Sequence, residues 1–470
     1  MKPPVNVVLP DLPVNVVALA AGLGTRMKSK HAKVLHRAGG LTLIEHVVRA
    51  ASAITTPEHI TVVIGHQREQ VKQQLESTGV RFAEQTEQKG TGHAVMTCRS
   101  ALESQSGLVV VLYGDCPLLS PATLQELVKR QASGDSAMTL ITTRLEDPTG
   151  YGRILLGKSG KVEAIVEQKA ATPEQLAIQL VNPGIYCFRA ELLWQHIGEL
   201  TTNNPAHEYY LTDMVEILNK AGHTVAAFEV PEAGELLGIN TRVELAVADK
   251  IFRDRKVREL MLDGVTVERP ETVTIDADVK IGADSIVEPF ARILGRSAIG
   301  EDCKIGASSI VQNSELGAGV QIAPFTSIAD SRVDAGAHIG PFARLRNGNV
   351  VGAEAHIGNF VELKNTQFAA GAKANHLAYL GDSEIGEKTN IGAGTITCNY
   401  DGVKKHRTRI GKKAFVGSNS TLVAPIDIGD GSYIGAGSVI TKPVPPDALA
   451  LGRAHQIVKE RWAAKRKKKE

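Results

Sequence analysis

Four short segments of the 470-residue chain combine residue types that can do chemistry. The first, residues 19–27, reads LAAGLGTRM. Its glycines let the backbone approach a ligand closely, so that amide N–H groups can surround phosphate oxygens. Arg26 adds a forked positive charge and Lys33 a mobile one. A plain tight turn would carry the same glycines. The second is Tyr113-Gly114-Asp115-Cys116-Pro117, directly after an apolar run. A carboxylate at a strand's carboxyl end, facing a phosphate loop, suits a Mg2+ ligand; the alternative is a cap ahead of Pro117. The third pairs Gln85 with Gln88-Lys89-Gly90-Thr91-Gly92, which reads either as a ligand loop or as a loop followed by a helix cap. The fourth is Asn375-His376-Leu377-Ala378-Tyr379-Leu380-Gly381-Asp382. Histidine is a natural general base near neutral pH, with an unperturbed pKa of about 6.5; a solvated or capping histidine is the alternative. No Ser-His-Asp set is evident.

These segments need elements to hold them, and two grammars supply those elements. Between residues 14 and 240, strand patterns at Val14–Ala18, Ile60–Ile64, Leu108–Leu112 and Met138–Thr142 alternate with amphipathic stretches such as Leu43–Ala53 and Pro121–Gln131. That alternation predicts a mostly parallel sheet with helices on both faces. Residues 239–262 contain no further Pro or Gly and have helical apolar spacing. They predict a linker helix of about 20 residues, roughly 30 Å long. Val243, Val247, Ile251, Val257 and Met261 share much of one face of it.

From residue 274 a period of six begins. Aliphatic residues fall at Ile275, Ile281, Val287, Ile293, Ile299, Ile305 and Val311, and the series runs on, with five-residue steps, to Leu363. It resumes at Ile385, Ile391 and Thr397, and again from Ile410 to Ile440. Gly follows the aliphatic residue at many of these positions, 282, 300, 306 and 317 among them. Hexapeptide periodicity is a signature of a parallel β-helix, in which one aliphatic residue per hexad fills a narrow core. The phased positions predict about eight coils, a prism near 40 Å long at ~4.8 Å per coil. The gaps at 363–385 and 397–410 read as interruptions from which binding loops project. The domain reading is therefore 1–240, a linker helix at 241–263, and the β-helix with a basic tail at 264–470.

Composition narrows the function classes. With 53 Lys+Arg against 51 Asp+Glu, the net charge of +2 excludes a globally polyanion-binding chain. No nucleic-acid partner is expected, although the tail from Lys459 to Glu470 is basic; it reads as solvated, with a possible place beside coenzyme A phosphates. No apolar stretch reaches membrane-spanning length, so no membrane insertion is expected. Pro10, Asp11 and Pro13 interrupt any signal-peptide core. The first copy of the doubled VNVV, at residue 5, reads as an extension without function. Cys98, Cys116, Cys187, Cys303 and Cys398 lie far apart, outside any CxxC, and read as reduced thiols of a cytoplasmic protein. His338 and His356, one coil apart, allow a zinc reading or a solvated ladder; no third ligand in phase supports zinc.

Together the motifs carry a resemblance. LAAGLGTRM, the His31-Ala32-Lys33-Val34-Leu35-His36 segment and Gly114-Asp115 resemble the sugar-1-phosphate nucleotidyltransferases. The family's usual Pro before the Lys is here Ala32. Adding Gly150-Tyr151-Gly152-Arg153, Ile165-Val166-Glu167, Asn182-Pro183-Gly184 and Gly238-Ile239-Asn240, the order is similar throughout to the bifunctional bacterial N-acetylglucosamine-1-phosphate uridyltransferase/glucosamine-1-phosphate acetyltransferases. Residues 391–402 and 416–425 resemble the acetyltransferase half of the same family, with Asn375 in place of its usual Gly.

The resemblance implies an α/β, Rossmann-like nucleotidyltransferase domain, a linker helix and a left-handed parallel β-helix. It implies UTP over Leu19, Ala20, Ala21 and Gly22, with Arg26, Lys33, Tyr113 and Gly114 nearby and Gln85, Gly90 and Thr91 around the uracil. Asp115 and Asn240 would hold Mg2+, and Gly152, Glu167 and Asn182 the sugar. In the second half His376 would deprotonate the glucosamine amine, while Arg346, Lys364, Tyr379 and Asn390 hold the sugar phosphate. Ala393, Asn399, Tyr400, Ser418, Ala436 and Arg453 would contact acetyl-CoA. Homotrimers with sites between chains, and a product feeding peptidoglycan and lipopolysaccharide precursors, are further implications. The rival readings are a nucleotidyltransferase whose prism only regulates or oligomerises, and a purely structural prism. His376 with Asn399-Tyr400 speaks against both.

Overall fold

A computed structural model describes residues 12–157 and 160–467. The first VNVV copy and the last three tail residues lie outside the described residues. The chain divides into two compact units, one ending at Phe252 and the other starting at Arg253.

In the first unit, the buried apolar runs Val14–Leu19, Ile60–Ile64 and Leu108–Tyr113 and the half-exposed edge strand Arg81–Glu84 lie parallel in the order 81–84, 60–64, 14–19, 108–113. The sheet continues beyond Leu108–Tyr113 through Tyr186–Arg189 and Met138–Arg144 to Leu180–Asn182, Gly152–Leu156 and Val162–Val166, pairing antiparallel, while Val225–Glu229 adds a parallel strand beside Met138–Arg144. Val14–Leu19 and Leu108–Tyr113 are in register from Val14↔Leu108 to Leu19↔Tyr113, so both strands end at the same edge. That edge receives the glycine-rich turn and Asp115. Helix Leu43–Ala51 starts at a capping box between Thr42 and Glu45, and helix Pro121–Ser133 starts on the Ser120 hydroxyl with Pro at its first position.

One helix, Arg242–Leu262, carries the unit boundary within it. The single apolar face expected from the sequence is not what the helix buries. Val243, Val247 and Met261 are exposed. Ala248 is buried with Ala38, Leu43, Leu118 and Ile239 in the first unit, whereas Val257 and Leu260 join the core of the second. Each half of the helix answers to its own core.

The second unit is a left-handed parallel β-helix. Short strands stack into three parallel sheets of 11, 10 and 9 strands, which amounts to about ten coils rather than eight. The first face runs from Thr266–Val267 to Leu449–Ala450, the second from Thr274–Ile275 to Val439–Ile440, and the third from Lys280–Ile281 to Ile426–Ile428. The expected interruption at 363–385 does not exist. Phe368, Ala374 and Leu380 point inward there and keep the stack continuous. The gap at 397–410 is real and holds a loop closed by a Tyr400–Lys405 bridge.

The in-phase glycines serve close approach. A Cβ on Gly300 would lie 2.6 Å from the Ala318 nitrogen of the next coil. Gly300→Ala should therefore destabilise the second unit by about 1–3 kcal/mol, read as a lowered Tm. An unchanged Tm would refute that account of the repeat. Left-handed corners are taken by other glycines, such as Gly319 and Gly336, and by non-glycine residues, including Phe325, Phe342 and Phe360 at φ 60°, 55° and 57°. Their exposed rings stack at centroid distances of 5.1 and 5.3 Å.

Candidate active sites

At the strand-end edge of the first unit the chain leaves Leu19 and turns through Ala20–Gly24 into a short helical turn, Thr25–Met27. Lys33 rises from a second short turn, Lys33–Leu35. The Asn240 segment is brought in by a hydrogen bond from Ile239 N to Asp115 O, 2.8 Å. Lys33 Nζ pairs with the Asp115 carboxylate and donates to Asn240 Oδ1 at 3.1 Å. Arg26 donates to the same Asn240 oxygen at 2.7 Å. A carboxylate oxygen and a carboxamide oxygen thus converge on one cation position. Such a pair of hard oxygens fits Mg2+, which completes its shell with water and phosphate. A cavity of about 440 Å3 opens here, lined by Leu19, Ala20, Ala21, Gly22, Arg26, Lys33, Gln85, Gly90, Thr91, Tyr113, Asp115 and Asn240.

Gly152, Glu167 and Asn182 come together in the antiparallel part of the sheet. Asn182 pairs with Gly152 in register. The Gly152 Cα faces Glu167 so directly that a Cβ would lie 3.5 Å from Glu167 Oε1. Asn182 Nδ2 donates to the Tyr186 hydroxyl at 2.7 Å, and Gly184 N donates to Asn182 Oδ1 at 3.0 Å. Burial and then the charge of Asp213 push the Glu167 carboxyl up. Tyr113 closes the gap to the cavity: a Cβ on Gly184 would lie 2.5 Å from its ring.

In the second unit the coil period does the gathering. Arg346 pairs in register with Lys364, and Lys364 with Gly381. Arg346 is held by Glu362 at 2.6 Å. Lys364 is buried on Asp382 at 3.0 Å. His376 ends the strand Lys373–His376 and pairs in register with Asn359. Its Nδ1 lies 2.8 Å from Asn359 Oδ1. A carboxamide oxygen can only accept, so Nδ1 carries the proton and Nε2 is left to act as base. Ala393, Ser418 and Ala436 form a column of small residues: Asn419 N donates to Ala393 O at 2.7 Å, and Gly437 N to Ser418 O at 2.8 Å. Arg453 ends the column, donating to Ala436 O at 2.7 Å.

Residues 16–183 match the MobA-like NTP transferase domain, and residues 407–442 the hexapeptide repeat of succinyl-transferase. The chain is 60% identical over 456 residues to the bifunctional protein GlmU of Solibacter usitatus, covering 97% of this chain and 98% of that one. It is 49% identical to the GlmU of Koribacter versatilis, over 96% and 97% of the two chains. The chain belongs to the bifunctional GlmU family. The GlmU of Acinetobacter baylyi is similar over 97% and 99% of the two chains at 44% identity. The chain is thus a nucleotidyltransferase and a hexapeptide acetyltransferase in one.

Gly114 sits between Tyr113 and Asp115, with its nitrogen on Leu19 O at 2.9 Å. Tyr379 lies over Gly381, where a Cβ would be 2.4 Å from its hydroxyl. Asn390 projects from the first face next to Lys373. Asn399 is buried, and Tyr400 is exposed on the 398–407 loop. His376 itself stands on a strand of the prism, not on a loop leaving it. The His338 and His356 rings lie 4.9 Å apart and tilted, and burial and then His338 push the His356 imidazole down. Among the described residues no cluster of three metal-binding side chains occurs.

Two residues escaped the sequence reading. Asn359 orients His376; its position 17 residues before the histidine, nearly one coil, was the available signal. Lys405, from the inserted loop, meets Lys364; the hydrogen bond between them and then the Lys364 charge depress the Lys405 amine, with burial and Arg346 adding to the effect. Three basic side chains, Arg346, Lys364 and Lys405, thus lie close enough to act on one another, which no local motif announces.

Proposed function

We propose that the chain makes UDP-N-acetylglucosamine from glucosamine-1-phosphate, acetyl-CoA and UTP, one step in each unit. In the second unit His376 Nε2 takes a proton from the sugar amine. The amine nitrogen attacks the thioester carbonyl, the C–S bond breaks, and coenzyme A leaves as its thiol. Arg346, Lys364 and Lys405 neutralise the sugar phosphate, with Tyr379 and Asn390 beside the sugar. The column Ala393, Ser418, Ala436 and Arg453, with Asn399 and Tyr400, receives acetyl-CoA. In the first unit a phosphate oxygen of N-acetylglucosamine-1-phosphate attacks the α-phosphorus of UTP, and pyrophosphate leaves. Gln85, Gly90 and Thr91 border the uracil, Gly152, Glu167 and Asn182 the sugar, and Arg26 and Lys33 offset phosphate charge. Asp115 and Asn240 would hold Mg2+, which when bound neutralises the triphosphate.

The observation that carries this reading is the 2.8 Å contact of His376 Nδ1 with Asn359 Oδ1, which leaves Nε2 for the proton, in the stack of coils that also carries Arg346 and the Lys364–Asp382 pair. Thiol release from acetyl-CoA with glucosamine-1-phosphate tests it, beside pyrophosphate release from UTP. Pyrophosphate release without any thiol release would leave only the nucleotidyltransferase.

We place the reaction in the cytoplasm; the five cysteines are free thiols. Among the described residues no helix is long and apolar enough to cross a membrane. We also propose a homotrimer. The stacked phenyl rings of Phe325, Phe342 and Phe360 support it, because bulky residues at positive φ are strained and an exposed aromatic ladder fits a contact between copies. Changing all three to Ser should yield monomers in sedimentation; an undisturbed trimer mass would remove the ladder from the interface.

A further inference from the structure

The corner that follows the second face carries one carboxylate that the reaction as described leaves without a role. Asp382 stands 18 residues after Lys364 and 17 before Asn399, one coil from each. It is buried, at 8% exposure, with left-handed backbone at φ 49°. Its Oδ2 accepts from Lys364 Nζ at 3.0 Å and from Asn399 Nδ2 at 2.5 Å. Its Oδ1 accepts from Asn365 Nδ2 at 2.7 Å. Lys364 and Asn399 are themselves buried. Hydrogen bonds from Asn365, Lys364 and Asn399 outweigh burial and hold the carboxyl below its usual range, so the group is an anion at neutral pH.

The two donors on Oδ2 serve different substrates in the function proposed above: Lys364 the sugar phosphate and Asn399 the acyl donor. A flexible ammonium and a rotatable carboxamide are therefore fixed by one oxygen. With its amide nitrogen committed to Asp382, Asn399 must turn its carbonyl oxygen the other way. We propose that Asp382 is a positioning residue for acetyl transfer, setting the sugar-phosphate cation and the acyl-donor amide in one register.

This rests on the roles given to Lys364 and Asn399, so the test separates the two. Uridylyl transfer by the same preparation serves as the control for the first unit, and an unchanged Tm as the control for the second. Asp382→Asn keeps the shape but sets an NH2 group against at least one of the three donors. Positioning errors of about 1 Å lower turnover by about 10²-fold. Asp382→Asn should therefore lower the kcat of acetyl transfer by about that factor. The KM for glucosamine-1-phosphate should stay within about threefold, because the cations that attract the phosphate remain. Lys364→Met should raise that KM, and the double variant Asp382→Asn/Lys364→Met should lose less than the product of the two single losses, with the part that acts through Asn399 remaining.

The double variant also lacks the unpaired buried ammonium, so it keeps the test open if Asp382→Asn fails to fold. A kcat for Asp382→Asn within about threefold of the parent overturns the proposal, as does a double variant whose losses multiply. If Lys364→Met and Asn399→Ala both leave acetyl transfer untouched, the substrate roles themselves are wrong.

Discussion

Replacing His376 by Ala should slow acetyl transfer by about 10²–10⁴-fold at pH 7 and leave uridylyl transfer as it was. The sugar amine, if it resembles an α-amino group, titrates at about 7.7–8.0. At pH 7 it is mostly protonated, and only the free base can attack the thioester. The Asn359 carboxamide holds Nδ1–H, so Nε2 is the one basic nitrogen the ring offers. The deficit of His376→Ala should shrink as pH rises through 8 and free amine accumulates, which a general-base role requires and a packing role does not. Activity within a few-fold of the parent at pH 7 removes His376 from the proton transfer. Asn359→Ala should lower kcat in the same direction but less, because the imidazole remains and only its tautomer is released.

Asp115→Ala should lower Mg2+-dependent uridylyl transfer by about 10³-fold or more, the equivalent of roughly 4 kcal/mol, and spare thiol release from acetyl-CoA. Asp115 is the carboxylate of the site's oxygen pair, and Asn240 brings only a neutral oxygen. Its loss removes the one formal negative charge of that pair and leaves the Lys33 ammonium without its anion. Equal loss of both activities in folded protein would mean that Asp115 acts on the whole chain's integrity rather than on one site. Retained uridylyl transfer would place the metal elsewhere.

Much of this was legible from the residues because the physics behind it is local. The turn after Val14–Leu19 and the acid after Leu108–Tyr113 are strand-end features, and parallel register brings strand ends to one edge. The coil period was legible wherever an aliphatic side chain filled the core. It vanished from 363 to 385 because Ala374 is small and Leu363–Phe368 and Leu380–Ile385 are five-residue steps. The helix Arg242–Leu262 misled because one amphipathic face presumes one core, and this helix serves two. Asn359 and Lys405 were invisible for a different reason. They point outward or come from an insertion, so no burial pattern constrains their type. The antiparallel strands Leu180–Asn182 and Gly152–Leu156 gave little signal, being short and partly polar.

A stack of coils is held together only by neighbours, so its stability is a chain of nearest-neighbour couplings and it frays from its ends. Arg346, Lys364, His376 and Asp382 lie in inner coils, with paired strands on both sides. Ser418 lies toward the terminal coils, and Ala436 and Arg453 lie beyond Ile426–Ile428, where the third face ends. The column proposed for the acyl donor should thus be the first part of the site to open on warming, with amide hydrogen exchange faster at 433–450 than at 362–381. A ligand laid along that column would bind the closed form alone and act as a clasp on the end of the prism, so acetyl-CoA should slow that exchange more than the sugar phosphate does.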